Sequence, residues 1–417
     1  MKTRRWKAGM ARAVAFVLLA LFCFVPASAA PKYKVLHAFG KGKDGGGLWS
    51  PVTIDEGGSL YGATSGGGAY NGGIAFRLSP YPGDRWTEDI LHSFPSSPGD
   101  GAWPNGGLVQ GRPGDWYGTS HAGGAYASGT VFQLFHSSGG WKESALYSFG
   151  EQHHDDGGDP LAGPVMDAEG NLYGTTDATA FEVSPGTDGS PWEETILHRF
   201  RVKKDDGADP DAGLILDASG NLYGTTEAGG IGCAGDGCGT VYELSLDSAG
   251  KWKETILHRF DNNGQDGYTP GSGALFMDSQ GQLYGTTEAG GADGAQSQGT
   301  IYQLTEGADG AWNESILYSF KYGSSTGYSP AGGVIMDKYG NLYGTTASGG
   351  VPGCGVVYKL APGPKDSWRY TVLHTFGYGT DGCMPTANLI LDDKGNLYGT
   401  TALGGAYGAG IVFELTP

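Results

Sequence analysis

One heptapeptide constrains this 417-residue chain more than any other feature: Gly-Asn-Leu-Tyr-Gly-Thr-Thr, at residues 170–176. It returns intact at 220–226, 340–346 and 395–401, and at 281–287 with Gln282 in place of Asn. Degenerate copies stand at 59–64 and 115–120. The central tyrosines, Tyr61, Tyr117, Tyr173, Tyr223, Tyr284, Tyr343 and Tyr398, lie 50 to 61 residues apart. A chain of this length ordinarily divides into two or three globular domains. Seven copies of one unit replace that expectation with a repeat architecture.

Residues 211–260 serve as the type unit. The apolar run 212–217 reads as a buried strand. Turn chemistry follows at 217–221. Residues 222–226, rich in Thr and Tyr, read as a second strand. A glycine-rich loop spans 227–239, and strands follow at 240–244 and 251–260. Nothing has a helical period. One four-stranded sheet cannot bury both faces alone, whereas blades packed around an axis can. The expected fold is therefore all-β: a seven-bladed β-propeller of four-stranded antiparallel blades.

The two ends of the chain predict how the ring closes. Fourth strands end in Leu-(His/Tyr)-x-Phe at 91–94, 146–149, 197–200, 257–260, 317–320 and 373–376. The last unit stops in a third strand at 411–417, and the missing copy stands at the front, in 33–39. The N-terminal strand is expected to pair with 411–415 and complete blade seven.

Residues 1–29 read as a signal peptide. Lys2, Arg4, Arg5, Lys7 and Arg12 precede an apolar run at 13–25, and Ala27-Ser-Ala29 fits a cleavage site. Residues 30–417 are then one propeller domain, expected to be secreted or surface-associated and monomeric. No later segment is apolar enough to span a membrane. Residues 1–29 hold five of the 26 Lys and Arg and none of the 44 Asp and Glu. Without them the net charge falls from −18 to −23, a field that repels nucleic acid. Cys233, Cys238, Cys354 and Cys383 remain. Cys354–Cys383 and Cys233–Cys238 are the expected disulfides, suited to an oxidising compartment.

The motifs Asp-x-x-Gly-Asn-Leu-Tyr-Gly-Thr-Thr and Gly-Thr-Val-Tyr-Glu-Leu, with Leu-His-x-Phe between units, resemble the GloVer tandem-repeat family of exported bacterial proteins. The resemblance covers roughly residues 31–417; Ala63 and Trp116 depart from it. The strand-turn-strand core is also similar to NHL and related propeller repeats. The resemblance implies export and a repeat architecture. It carries no activity and no catalytic residues.

Candidate chemistry gathers in loops expected on one face. The lead-in loops carry Asp-Gly-x-x-Pro, starting at Asp100, Asp156, Asp206, Asp266 and Asp381. A ring of such carboxylates at the channel mouth suits a calcium ion; a repeated turn is the plainer reading. No cofactor is otherwise expected. His37, His92, His198, His258 and His374 share one packing position, while His121, His136, His153 and His154 fall outside the pattern. Six tryptophans that start fourth strands read as packing. Trp49 and Trp103 in lead-in loops, and Tyr70, Tyr126 and Tyr407 in Gly-Gly-Ala-Tyr loops, break the repeat. They are the expected ligand surface, spanning blades seven, one and two. No nucleophile elbow, phosphate loop or dinucleotide fingerprint is present. The composition suits a binding or scaffold module for an extracellular polysaccharide or a surface protein. A glycan-acting enzyme on the same fold and a structural surface component are the alternatives.

Overall fold

The recurring heptapeptide folds around one aspartate. In the computed structural model, Asp217 Oδ1 accepts hydrogen bonds from the backbone N–H groups of Ser219 and Asn221. Its Oδ2 accepts from Asn221 Nδ2 at 3.0 Å and from the Tyr223 hydroxyl at 3.2 Å. Asp167, Asp278, Asp337 and Asp392 take the corresponding tyrosine hydroxyls in their own units. Burial pushes the Asp167 and Asp337 carboxyls up, but hydrogen bonds from Asn171 and Asn341 outweigh it and hold both below the usual range. The motif's polar groups are thus consumed by the turn.

The structure describes residues 30–417 except 96–98, 151–155, 202–205, 231, 234, 236, 293–296 and 378. The signal-peptide reading and His153 and His154 lie outside the described residues. Residues Pro31–Pro417 form seven four-stranded antiparallel blades. In blade four the strands run in order Ile215–Leu216, Leu222–Thr226, Thr240–Leu246 and Trp252–Arg259. No helix is long and apolar enough to cross a membrane among the described residues.

Aromatic rings join the blades. A Cβ on Gly118 would lie 2.6 Å from the Phe132 ring, so glycine in the second strand admits the third-strand aromatic. That ring then meets the phenylalanine that ends the preceding blade. Phe39–Phe76, Phe94–Phe132, Phe149–Phe181, Phe200–Tyr242, Phe260–Tyr302, Phe320–Tyr358 and Phe376–Phe413 cross all seven joints, with centroids 4.9–5.7 Å apart. Such pairs add about 0.5–1.5 kcal/mol each beyond the area they bury. Threonine supplies a polar stitch. Thr119, Thr175, Thr286, Thr345 and Thr400 each donate to a carbonyl of the next blade. Trp86, Trp192 and Trp252 reach Tyr398, Tyr117 and Tyr173 of the preceding blade, consistent with packing.

The ring closes as the two chain ends predict. Lys32–Ala38 pairs antiparallel with Ile411–Thr416, with Tyr33 opposite Leu415. Tyr33 also stacks on His374 at 3.7 Å. Thr400 donates to Ser50 O, tying blade seven to blade one across 350 residues of sequence. Both expected disulfides are present; Cys354–Cys383 ties a blade-six loop to the lead-in loop of blade seven.

Two details differ from the sequence reading. The first strand of blade four is Ile215–Leu216, not 212–217. The residues before it run toward the axis, where inner segments of adjacent blades converge too closely for a longer ladder. A Cβ on Gly106, for example, would fall within 2.6 Å of Gly163 Cα. The second difference is an extra ribbon above several blades, such as Gly207–Ala208 with Ala228–Gly229. Their glycines signal turns, and only the paired partner loop reveals a ladder.

Candidate functional site

The lead-in proline fixes an unusual backbone ring at one end of the channel. Trp103, Asp159, Asp209, Thr269, Ser329 and Met384, each directly before such a proline, have φ between 51° and 58°. Left-handed backbone costs a residue with a side chain roughly 1–2 kcal/mol. Hydrogen bonds hold it there: Met384 N donates to Cys354 O and Met384 O accepts from Ala402 N, both at 3.0 Å. Trp103 is held the same way by Gly72 O and His121 N. The backbone therefore repeats while the side chain varies, only Asp159 and Asp209 being alike. The residue after Thr-Thr also varies, reading Ser65, His121, Asp177, then Glu227 and Glu288, then Ala347 and Ala402.

Met384, Glu288 and Ala347 of these rings line a cavity of about 710 Å³ to which all seven blades contribute, with Trp49, Asn105, Asp211 and Asn388 also in its lining. Its size suits a small ligand or one end of a larger one. Asn388 accepts from Gly333 N at 2.8 Å and donates to Ala274 O at 3.2 Å, pinning the inner segments of blades five to seven.

The rim has two sectors. Trp49, 45% exposed, and Trp103, 48% exposed, mark the aromatic one, and Trp103 lies 6.4 Å from the His121 ring. Tyr70, Tyr126 and Tyr407 are also exposed but sit farther out. Tyr407 lies beside Gly40 and Tyr126 beside Gly150, each over a joint to the next blade, and Tyr70 takes the same loop position in blade one. The acidic sector belongs to blades three to five. Burial, then Glu227 and Asp209, push Asp211 up to about 6; Asp211 and Glu227 share a hydrogen bond. Burial also raises Glu227 and Glu288.

The lead-in aspartates lie elsewhere. Asp100, Asp206, Asp266 and Asp381 bond His92, His198, His258 and His374 at 3.1–3.4 Å, inside the joints between blades. Asp44 takes His37 in the same way, and Asp156 takes the Tyr147 hydroxyl at 2.9 Å. None of these aspartates lines the channel cavity, so the expected carboxylate ring at its mouth gives way to histidine-paired acids in the joints. A fourth-strand glutamate of the following blade joins most pairs: Glu88, Glu143, Glu194, Glu254 or Glu314. Burial, then the adjacent aspartate, push Glu143, Glu254 and Glu314 up to about 8. Sequence reading named the histidines and aspartates but missed these glutamates. Their signal was a recurring Trp-x-Glu, at 86–88, 141–143, 192–194, 252–254 and 312–314.

The profile of the Gloeobacter/Verrucomicrobia repeat matches residues 20–236, 177–310 and 232–417. No curated protein sequence matches the chain. Among solved structures, similarity is found to the extracellular domain attributed to a hybrid two-component system of B. thetaiotaomicron, at 11% identity and TM-score 0.55, over 93% of this chain and 41% of that one. A second extracellular domain, attributed to a one-component system of the same organism, gives 10% identity and TM-score 0.54 over 92% and 39%. A Bacteroides uniformis protein attributed 6-phosphogluconolactonase activity gives 14% identity and TM-score 0.50 over 82% and 88%. The chain spans about two-fifths of the length of the two extracellular domains. At these identities the likeness is one of fold.

Proposed function

The chain belongs to the Gloeobacter/Verrucomicrobia repeat family, and from that premise we propose that it is an exported binding module whose ligand seat is the channel mouth. The observation that carries this reading is the rim itself: a repeated, left-handed backbone presenting a different side chain in almost every blade. Packing asks for the same residue in each blade, as it does at the seven interblade phenylalanines. Side chains that escape that demand, on backbone that costs energy to hold, point outward to a ligand. The B. thetaiotaomicron extracellular domains of signalling systems support a binding or sensing role outside the cell.

The ligand class proposed is a neutral glycan. Trp49, in the cavity lining, and the exposed Trp103 offer flat faces for the C–H side of a sugar, and Asp211 and Glu288 of the lining, with Glu227 beside Asp211, accept from its hydroxyls. The outer tyrosines Tyr70, Tyr126 and Tyr407 extend the same face for a longer chain, or serve as anchors for a surface protein. The raised Asp211 favours one other reading, a glycan-cleaving enzyme with that residue as general acid. Its hydrogen-bonded partner Glu227 is much closer than the roughly 5–9.5 Å that glycosidases keep between their two carboxyls, so binding is preferred.

The purified protein on a panel of extracellular polysaccharides tests both. Retention of a glycan without cleavage is expected. The Trp103→Ala, Tyr126→Ala double variant should lose it while its melting temperature stays within a few degrees. A double variant that binds as before removes the aromatic sector from the reading, and cleavage abolished by Asp211→Asn replaces binding with catalysis.

A further inference from the structure

The joints between blades carry a second pattern, independent of the rim. Four of them bring together one imidazole and two carboxylates from three separate elements: His37, Asp44 and Glu88; His92, Asp100 and Glu143; His198, Asp206 and Glu254; His258, Asp266 and Glu314. In each set one donor atom from every residue lies within 4.8 Å of the other two. His258 Nε2 is 3.4 Å from Asp266 and 3.8 Å from Glu314; His198 Nε2 is 3.1 Å from Asp206 and 3.7 Å from Glu254. Ligands held about 2.1 Å from a tetrahedral ion sit about 3.4 Å from one another. The imidazole-to-carboxylate separations in these two sets, 3.1–3.8 Å, bracket that value.

A second observation points the same way. Glu254 is nine-tenths buried, with 10% side-chain exposure, and its Oε1 has no hydrogen-bond partner. Glu88, Glu143 and Glu314 also leave Oε1 without a donor, and Asp100 and Asp266 leave Oδ1. Two carboxylates side by side in a largely buried joint repel unless a proton or a cation lies between them.

Three joints depart from the set. In the joint between blades five and six all three positions change at once: tyrosines at 318 and 370 replace histidine and glutamate, and Thr326 replaces aspartate. There the two tyrosines stack at 4.3 Å, and Tyr370 donates to Thr326 O at 2.6 Å. Between blades six and seven Tyr33 replaces the glutamate, stacked on His374, which bonds Asp381 at 3.2 Å. At the other two exceptional joints one position changes and the other two stay: Tyr147 stands for histidine beside Asp156 and Glu194, and Tyr33 for glutamate beside His374 and Asp381.

We propose that the four complete His–Asp–Glu joints each bind a divalent transition-metal ion, of the zinc class, which clamps one blade to the next. An imidazole nitrogen in the set favours zinc or its neighbours over calcium, which takes oxygen ligands. Two protein carboxylates and one imidazole leave a fourth position for water.

The joint between blades two and three supplies the test. Tyr147 stands where the other sets have histidine, with Asp156 and Glu194 already in place. Chelator-treated protein is dialysed against zinc, and bound metal per chain is measured beside the melting temperature. Four equivalents and a raised melting temperature are expected. Tyr147→His should raise the capacity from four to five, and His258→Tyr should lower it to three. The second change has precedent inside this chain, so it is expected to fold, and circular dichroism confirms that it has. A protein that takes up no zinc overturns the proposal and leaves a shared proton as the joint's cement. Uptake that neither variant alters marks diffuse adsorption to an acidic surface, and uptake matched by calcium removes the imidazole from the site; either result overturns it as well.

Discussion

Replacing Phe39 with alanine tests ring closure at a single side chain. Phe39 is fully buried in the joint between blades seven and one, with its ring 4.9 Å from Phe76. Deleting a buried phenylalanine ring costs roughly 3–5 kcal/mol. An unfolding entropy of about 2.1 cal/mol/K per residue over residues 31–417 comes to on the order of 0.8 kcal/mol/K. The melting temperature should therefore fall by about 4–6 °C, provided the ring unfolds as one unit. The control is Phe260→Ala, in the joint between blades four and five, where the corresponding contact to Tyr302 measures 5.2 Å. In a closed ring the two substitutions cost nearly the same, because each breaks a joint with a blade on either side. In an open array the chain's first joint has no partner blade, and Phe39 costs little. Urea unfolding followed by tryptophan fluorescence, with calorimetry as a second probe, measures both. A Phe39→Ala protein within about 1 kcal/mol of the parent, beside a Phe260→Ala protein destabilised by the full amount, would refute closure.

Two further outcomes are expected. Removing the Cys354–Cys383 bridge as a double alanine variant should cost about 2–4 kcal/mol; non-reducing peptide mapping of the parent should show that bridge, and two free thiols there would contradict it. Glu194 is pushed up to about 7 by burial and by Asp156, with Arg199 opposing. A carboxyl raised on folding contributes stability that is complete below its unfolded pKa and is lost as pH rises through the folded one. The parent should thus lose stability between about pH 4.5 and 8 relative to Glu194→Gln; difference curves of melting temperature against pH that stay flat would show the group to be solvated.

The parts of this fold that were legible in sequence are those built from local or counted signals. Leu36-x-x-Phe39 is recognisable as a displaced fourth strand because six other copies stand in order behind it. Cys354 and Cys383 were paired because each sits in a loop whose face follows from blade topology. What escaped depends on register between blades. His92 and Glu143 are 51 residues apart, on fourth strands of adjacent blades, and nothing local says that those strands place them in one joint. The coincident exceptions Tyr318, Thr326 and Tyr370 hold that information, since positions that change together in one unit share a neighbour. The rim escaped for the opposite reason. Asp-Gly-x-x-Pro draws attention to its constant residues, whereas the informative one before proline, as at Trp103 or Met384, is the one that varies.

Closure by the first strand also sets the order in which the molecule is able to assemble. Lys32–Ala38 is made early and its partner Ile411–Thr416 late. Bringing together residues as distant as Ser50 and Thr400, 350 positions apart, costs about 3 kcal/mol more chain entropy than the 14-residue contact between Thr226 and Thr240. Each hairpin is therefore favoured before the seam, and the seam forms last. Until it does, the growing chain carries a free strand edge at its front and an incomplete sheet at its back, each the natural complement of the same edge on a neighbouring chain. At high local concentration the alternative to one closed ring is two chains that exchange first strands, and the entropy of that long internal loop is what the exchange avoids.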